Sequence, residues 1–374
     1  MSAMKKTNIL LGLLLSVSLM SCKTEKELTL MNNTNLNCGF DTFCRLDAYV
    51  SSEDEFNTYY NTMVDDFRYY HELFDIYNNY DGVNNIKTIN DNAGKKTIEV
   101  DQNIIDLINL AKEISELSDG AFDITSGSLL KVWHNYRDEG KDLNNDGYYG
   151  NTPSIKELEA AASYHGYNHI IVDDDNNTVY IDDENISLDV GGIGKGYAVE
   201  KVAQHLESIG LKYGSVNGGG NQRIVNTKPD GSGFNVGIQN PRGENSSIIA
   251  VLKNQSNKAV VTSGDYQNYY IAKDNIVYSH IIDPATLFPA NHYYSVSIAI
   301  DDSGLADCLS TALFVLDYNE GLSLIEKIKE KYDKDIIVVW ITGKPLSDSS
   351  IQSSIDKSQY ITVTDNFKDQ IVTD

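Results

Sequence analysis

The sequence predicts an α+β protein in which mostly antiparallel sheets pack with helices. Short strand candidates separated by turns occupy residues 214–282, and antiparallel strands joined by tight turns have this spacing. Segments with helical spacing of apolar residues lie on both sides, at residues 53–74, 100–117 and 305–316. Because strands and helices do not alternate regularly, a parallel α/β sheet is not expected.

The individual elements follow from apolar spacing and turn residues. Apolar residues alternate before Val50, which predicts a first strand over residues 39–50. The asparagine-rich residues 78–94 predict a loop, and Gly120 is expected to end the helix over residues 100–117. The later elements are expected in this order: a helix over 154–162, a hairpin over 169–181, a helix over 198–209, strands over 214–217, 234–238, 248–252, 259–262 and 276–282, helices over 305–316 and 322–331, and a strand over 336–341.

The first 22 residues have the pattern of a bacterial lipoprotein leader. Lys5 and Lys6 precede an apolar run over residues 9–20, which is too short to span a membrane in the mature protein. The Leu-Met-Ser-Cys sequence that ends at Cys22 resembles a lipobox. We therefore expect a signal peptide over 1–21, acylation of Cys22 and a flexible lipid-anchored tether over 22–37. The protein would be an exported, membrane-anchored lipoprotein facing the periplasm; a cytoplasmic enzyme with a buried first helix is the alternative.

The chain is strongly acidic, with a formal net charge of −24. This charge repels nucleic-acid phosphates, so no nucleic-acid partner is expected. An anionic substrate would need a metal ion or local lysines, so the composition predicts a divalent cation. Cys38 and Cys44 could form one disulfide in an oxidising compartment, which would leave Cys308 unpaired.

A glycine-rich segment over residues 187–197, SLDVGGIGKGY, is the most informative motif. Glycines let backbone N–H groups face an anion, and the helix expected after them adds positive potential at its N-terminus. Lys195 would add a point charge. The pattern is neither the dinucleotide-binding Gly-x-Gly-x-x-Gly nor a P-loop. A tight turn without a ligand is the alternative interpretation.

Two further groups of polar residues follow. Asp307 and Thr311 are four residues apart in a predicted helix, so they share one face, and their oxygens suit a hard cation. The alternative is that Asp307 caps this helix. Residues 262–266 (TSGDY) and 278–284 (YSHIIDP) place hydroxyls, carboxylates and His280 in turn-rich sequence, where sites are often built. His280 could bond a phosphate or a ring edge, or be a structural histidine.

Together these motifs resemble the ApbE family, the FAD:protein FMN transferases. Residues 122–125 and the spacing of Leu129 and Trp133 are similar to an earlier block of that family. The resemblance predicts an ApbE-type domain over 38–345 and a C-terminal extension over 346–374. Six motifs occur in the family's order and spacing: 188–199 (LDVGGIGKGYAV), 217–220 (NGGG), 236–241 (VGIQNP), 262–266 (TSGDY), 280–284 (HIIDP) and 306–311 (ADCLST).

The resemblance implies an ApbE-like fold with an FAD site in a cleft between lobes. The implied reaction transfers FMN from FAD to a Thr or Ser hydroxyl of an acceptor protein, releases AMP and uses Mg²⁺. The metal would be held by Asp307, Thr311 and the backbone carbonyl of Gly194. The catalytic residues would be Asp307, Asp283 and His280, and either aspartate could be the base. The residues implied at the FAD site are Asn90, Asp189, Gly191, Gly192, Lys195, Gly196, Ser263, Gly264, Asp265 and His280.

The chain departs from the family pattern at a few positions. Gly194 stands where the family commonly has alanine, and Asn221 stands where an aspartate often follows the paired glycines. Leu287 and Phe288 replace the usual glycine and aromatic residue. The expected acceptors are subunits of the Rnf type or of the sodium-pumping quinone reductase type. A Mg²⁺-dependent FAD pyrophosphatase that yields FMN and AMP, and a non-catalytic FAD-binding lipoprotein, are the alternatives.

Overall fold

The computed structural model describes residues 27–244 and 247–373. The predicted signal peptide and Cys22 lie outside the described residues. None of the described helices is both long and apolar enough to span a bilayer. The α-helices of the described residues are α1 (Glu53–Phe74), α2 (Ile86–Asp91), α3 (Gln102–Leu117), α4 (Gly127–Asn145), α5 (Ile155–Ala162), α6 (Gly194–Ser208), α7 (Ser303–Val315) and α8 (Tyr318–Tyr332).

The strands form one large sheet and three small ones within the described residues. They are β1 (Thr29–Asn35), β2 (Cys44–Val50), β3 (Ile98–Glu99), β4 (Ile170–Asp173), β5 (Thr178–Ile181), β6 (Gly214–Gly218), β7 (Asn221–Val225), β8 (Phe234–Gln239), β9 (Ile248–Gln255), β10 (Ala259–Gly264), β11 (Tyr269–Ile271), β12 (Val277–Ser279), β13 (Ser295–Ile300), β14 (Ile337–Thr342), β15 (Ile351–Gln352), β16 (Tyr360–Val363) and β17 (Ile371–Val372). Short 3₁₀ helices occupy Tyr167–His169 and Asp365–Gln370.

The large sheet has nine strands in the order β1-β2-β6-β7-β10-β13-β14-β16-β15, and each neighbouring pair is antiparallel. Its two edge strands do not meet, so the sheet is open. The smaller sheets are β17-β9-β8, β3-β5-β4 and the hairpin β11-β12. The main core lies between α3, α7 and α8 and the central strands of the large sheet. The predicted α+β class is therefore confirmed.

Both predicted domain boundaries need correction. Residues 29–35, predicted as flexible tether, form β1, which pairs with β2 from Thr29 opposite Val50 to Asn35 opposite Cys44. The strand lies at the sheet edge and most of its side chains reach solvent, so it lacks the apolar alternation that marks a half-buried strand. At the other end, β16 pairs with β14, and β17 pairs with β9. The C-terminal residues 346–372 therefore complete the sheets and are not an appended extension.

The N-terminal half contains elements whose ends have clear physical causes. Helix α1 has the predicted bounds because the Ser52 side chain accepts the Glu55 N–H and caps it. The predicted loop over 78–94 contains α2, which Asn85 caps through the Thr88 N–H. An asparagine that indicates a loop therefore acts here as a helix cap. The disulfide considered between Cys38 and Cys44 is not formed, since both thiols are free and buried.

A buried ion pair connects α6 to the sheet and to α7. Glu200 on α6 and Arg223 on β7 are 5% and 8% exposed, and Arg223 Nε lies 3.0 Å from Glu200 Oε2. The same oxygen accepts the Ser303 N–H at the start of α7 over 2.9 Å. Burial raises the pKa of Glu200, although Arg223 opposes this shift. Glu200 therefore holds together the two helices that bear the glycine-rich segment and Asp307.

Replacing Glu200 with alanine should destabilise the protein strongly. The change leaves the Arg223 guanidinium buried without its carboxylate, and breaking a buried pair in this way costs about 3–5 kcal/mol. Urea unfolding followed by circular dichroism measures the loss. Glu330→Ala, at an exposed position on α8, is the control and should change the free energy of unfolding by less than about 0.5 kcal/mol. An equal effect of both substitutions would contradict the role given to Glu200.

Candidate active site

A cavity of about 390 Å³ lies where α4, α6, α7 and the end of β10 meet. Its volume is within the range of small-molecule sites. The FAD-binding cleft that the family resemblance implies is expected here. The lining comes from the segments 74–77, 121–124, 189–192, 262–264 and 280–282, together with residues of α4, Gly194, Lys195, Asp307 and Thr311.

The glycine-rich segment forms the wall of this cavity and the first turn of α6. The backbone carbonyl of Val190 accepts the N–H groups of Ile193 and Gly194 over 3.1 and 2.8 Å, which starts the helix at Gly194. The helix was expected from residue 198, because glycines have low helix propensity. Asp189, Gly191, Gly192 and Lys195 all line the cavity. A helix N-terminus and a lysine therefore face the same space.

Asp307 projects from α7 into the cavity wall and is 6% exposed. Its Oδ2 accepts the Gly196 N–H over 2.8 Å. Burial raises the pKa of Asp307, and nearby Lys195, the Gly196 N–H and Asn221 oppose the shift. The N-cap of α7 is Asp302, which accepts the Leu305 N–H over 2.8 Å. The alternative that Asp307 caps the helix is therefore wrong.

Thr311 lies one turn after Asp307 and lines the same cavity, as their spacing predicts. It faces the glycine-rich segment, since a Cβ added at Gly192 would lie 3.3 Å from Thr311 Oγ1. Among the described residues, no group of three or more His, Cys, Asp or Glu side chains could hold a metal ion. One carboxylate and one hydroxyl beside backbone carbonyls fit a hard cation that takes further ligands from water or substrate.

His280 also lines the cavity, and its Nδ1 lies 3.2 Å from the backbone carbonyl oxygen of Asn268. A carbonyl oxygen can only accept, so Nδ1 bears the proton and Nε2 bears the lone pair. Burial lowers the pKa of His280 to about 3, and the positive charges of Arg137 and Lys195 add to this effect. At neutral pH His280 is therefore an uncharged imidazole and not a source of positive charge.

Residues 263–265, which were predicted at the site, do not all line the cavity. Ser263 and Gly264 line the cavity, and the Ser263 hydroxyl bonds that of Ser310 over 2.8 Å. Asp265 is not among the cavity-lining residues. Its two carboxylate oxygens accept from the Arg242 guanidinium over 2.7 and 2.6 Å. Asp265 therefore holds Arg242, a long-range partner that no local motif marks.

Three other residues implied at the site also lie outside the cavity lining. Asn90 bonds both backbone groups of Leu188 over 2.8 and 2.9 Å, so it fixes the start of the glycine-rich segment. Asp283 accepts from the Ala285 N–H and the Thr286 hydroxyl, each over 2.8 Å, within a turn. Gly196 lies beneath Asp307. Of the two aspartates considered as base, the structure brings only Asp307 to the cavity.

The cavity lining also contains polar residues that were not predicted from the sequence, among them Tyr77, His134 and Arg137. His134 and Arg137 lie on α4 at helical spacing from Leu130, which also lines the cavity. That spacing is the signal that could have found them. His134 Nε2 lies 3.7 Å from Asp189 Oδ2, and the Tyr77 hydroxyl lies 3.3 Å from His134 Nδ1. Helix α4 therefore contributes polar groups to the same cavity as the recognised motifs.

The sequence is similar to that of named proteins, and the fold is similar to solved structures. The FAD:protein FMN transferase of Vibrio cholerae is 28% identical over 256 residues, which cover 68% of this chain and 73% of that protein. The protein of the same name from Treponema pallidum is 30% identical over 272 residues, covering 65% of this chain and 67% of that protein.

Solved structures agree with this similarity. The ApbE protein of Thermotoga maritima has a TM-score of 0.73 at 28% identity, covering 91% of this chain and 99% of that one. The flavinyl transferase ApbE of Pseudomonas stutzeri has a TM-score of 0.71 at 23% identity, covering 92% and 97%, and supports the fold. A model described as the ApbE family matches residues 40–334. These matches confirm the resemblance, and the chain belongs to the ApbE family.

Proposed function

We propose that this chain is a flavin transferase that moves FMN from FAD to a Thr or Ser hydroxyl of an acceptor protein and releases AMP. Its family makes it an enzyme of the transferase class, since the relatives are named FAD:protein FMN transferases. The observation that supports the reaction most is that Lys195, Asp307 and Thr311 line one cavity. The lysine suits a diphosphate directly, and the carboxylate and hydroxyl suit it through a metal ion that they would hold.

Recognition of FAD would depend on local positive potential in an otherwise acidic protein. The N-terminus of α6 adds the positive end of the helix dipole, and Lys195 lies in the first turn of this helix. With a net charge of −24, the chain as a whole repels a diphosphate. Binding therefore requires these few groups. Ser263 and the neutral His280 supply hydrogen-bonding groups elsewhere in the cavity.

The donor set fits the Mg²⁺ that the family resemblance implies. Asp307 and Thr311 would hold the ion together with the backbone carbonyl of Gly194, and all three residues line the cavity. A bound Mg²⁺ would neutralise charge on the phosphates. The small number of protein oxygens is typical of Mg²⁺, which keeps water and phosphate ligands.

The reaction requires the protein to position the acceptor hydroxyl next to the FMN phosphorus and to accept the proton of that hydroxyl. The acceptor hydroxyl oxygen forms a bond to the FMN phosphorus, and the bond from that phosphorus to the AMP oxygen breaks. AMP leaves with the electron pair. Of the two aspartates considered as base, Asp307 is the one that lines the cavity and can take the hydroxyl proton, whereas Asp283 is engaged in a turn outside it. Holding the reactants in line accounts for much of such a rate enhancement.

We also propose that the protein is exported and attached to a membrane through a lipid on Cys22, facing the periplasm. The basic residues, apolar run and lipobox-like sequence of residues 1–22 support this. The first strand begins at Thr29, so the segment after Cys22 is short. The acceptors would then be flavoprotein subunits at the same membrane, of the Rnf type or the sodium-pumping quinone reductase type.

Incubation of the purified chain with FAD, Mg²⁺ and an Rnf-type acceptor domain tests the function. A denaturing gel viewed for flavin fluorescence should show a fluorescent acceptor band, and the band should disappear when EDTA removes the metal. AMP release without a fluorescent band would favour the pyrophosphatase, in which water replaces the acceptor hydroxyl. FAD binding without AMP would favour a binding lipoprotein.

A further inference from the structure

Arg137 of α4 is a second cation of the cavity, and the family motifs do not include it. Its side chain is 12% exposed and lines the same cavity as Lys195. Its Nε is buried and has no hydrogen-bond partner among the described residues. The nearest carboxylate oxygen, Asp138 Oδ1, lies 3.5 Å away on a side chain that is 69% exposed. Water screens such a pair strongly, so it compensates little for the burial of the guanidinium.

Asp189, a cavity carboxylate next to α4, is already engaged. Asp189 Oδ1 accepts the Gly191 N–H over 2.9 Å, and Asp189 Oδ2 faces His134 Nε2 at 3.7 Å. His134 in turn lies next to the Tyr77 hydroxyl. These contacts position His134 on α4, and they give Arg137 Nε no hydrogen-bond acceptor. A buried polar group that lacks a partner costs free energy, so the arrangement favours a ligand that brings an acceptor.

Several basic side chains line this part of the cavity. Arg137, Lys195 and His134 all lie close enough to His280 to lower the pKa of its imidazole. Since His280 is uncharged at neutral pH, Arg137 and Lys195 are the permanent positive charges of this group. They come from different helices, α4 and α6, and both line the cavity. An anion between them would interact with both.

We propose that Arg137 binds the diphosphate of the dinucleotide, opposite the glycine-rich segment, and stabilises the negative charge that remains on the departing nucleoside monophosphate. The inference rests on the proposed function. A guanidinium presents several N–H donors in a plane, which matches phosphate oxygens better than a lysine ammonium does. Lys195 and α6 would hold the diphosphate from one side, and Arg137 from the other.

The test compares two ligands that separate the halves of FAD. ADP contains the diphosphate without the flavin, and riboflavin contains the flavin without a phosphate. Calorimetric titration of the full chain with each ligand should show that Arg137→Gln weakens ADP binding by about 10- to 100-fold and leaves riboflavin binding unchanged. Arg137→Lys should lie between the wild type and Arg137→Gln, because it keeps the charge and loses the planar geometry.

Lys131→Gln is the matched control, since Lys131 is exposed on the same helix and does not line the cavity. It removes one positive charge and should leave the affinity for ADP unchanged. Unchanged ADP affinity in Arg137→Gln, or an equal loss of riboflavin affinity, would overturn the inference while the wild type still binds FAD. A wild-type chain that does not bind FAD would overturn the proposed function as well. If Arg137→Gln does not fold, the ADP affinity of Arg137→Lys is compared with that of the wild type instead.

Discussion

Replacing Asp307 with asparagine is expected to lower the rate of flavin transfer by roughly 100- to 1,000-fold without unfolding the protein. The carboxylate charge is lost, although the amide oxygen can still accept the Gly196 N–H that Asp307 Oδ2 accepts over 2.8 Å. Burial raises the pKa of Asp307, which means that the protein tolerates the negative charge poorly. Removing the charge should therefore leave the free energy of unfolding unchanged or increase it.

The measurement combines the initial rate of AMP release with a urea unfolding curve for the same preparation. Asp335→Asn, at an exposed position after α8, is the control and should change neither quantity. If Asp307→Asn keeps wild-type activity, Asp307 has no role in the chemistry. A parallel loss of activity and stability would indicate that Asp307 is only structural.

Replacing Gly196 with alanine is expected to lower both the free energy of unfolding and the rate of flavin transfer. Helices α6 and α7 approach so closely here that the new Cβ would lie 2.3 Å from the Ser303 carbonyl oxygen and 2.4 Å from Asp307 Cβ. Neither atom is at the end of a flexible side chain, so the helices must separate. Overpacking of this kind costs about 1–3 kcal/mol. Separation of the helices would also lengthen the hydrogen bond from the Gly196 N–H to Asp307 Oδ2. Because this bond positions the Asp307 carboxylate, the rate of flavin transfer should fall as well.

Thermal and urea unfolding of Gly196→Ala measure the loss of stability, and the AMP assay measures the loss of rate. Gly321→Ala on α8 is the matched control. Its added Cβ would meet only the end of the Leu313 side chain, at 3.1 Å, which can move. Alanine is also a better helix former than glycine by roughly 0.5–1 kcal/mol. The control should therefore be neutral or stabilising, and equal behaviour of the two variants would contradict the close contact between α6 and α7.

The sequence alone predicts the parts of this protein in which local chemistry determines structure. The bounds of helix α1 were predicted from apolar spacing, and the structure shows that Ser52, a favoured cap, precedes its first residue. Asp307 and Thr311 reach one cavity because residues four apart share a helix face. Lys195 lies in the first turn of the helix that was expected to follow the glycine-rich segment. In each case the signal lies within a few residues of the feature.

Features that depend on distant parts of the chain could not be predicted in this way. Strand β1 is recognisable only from its pairing with β2, since its exposed side chains show no apolar alternation. Asp265 is engaged by Arg242, which lies in a different segment. Asn90 bonds Leu188, nearly a hundred residues later in the chain. Arg137 belongs to no motif. Its spacing from Leu130 shows that the two residues share a face of α4, and the fold then places that face at the cavity.

The most direct test of the proposed reaction is intact-mass spectrometry of an acceptor domain after incubation with this chain, FAD and Mg²⁺. Transfer predicts that the acceptor gains the mass of FMN less one water, with one AMP released for each modified acceptor. An acceptor in which alanine replaces the target Thr or Ser should gain no mass. AMP release with an unmodified acceptor, or equal modification of the alanine variant, would contradict phosphoester transfer to that hydroxyl.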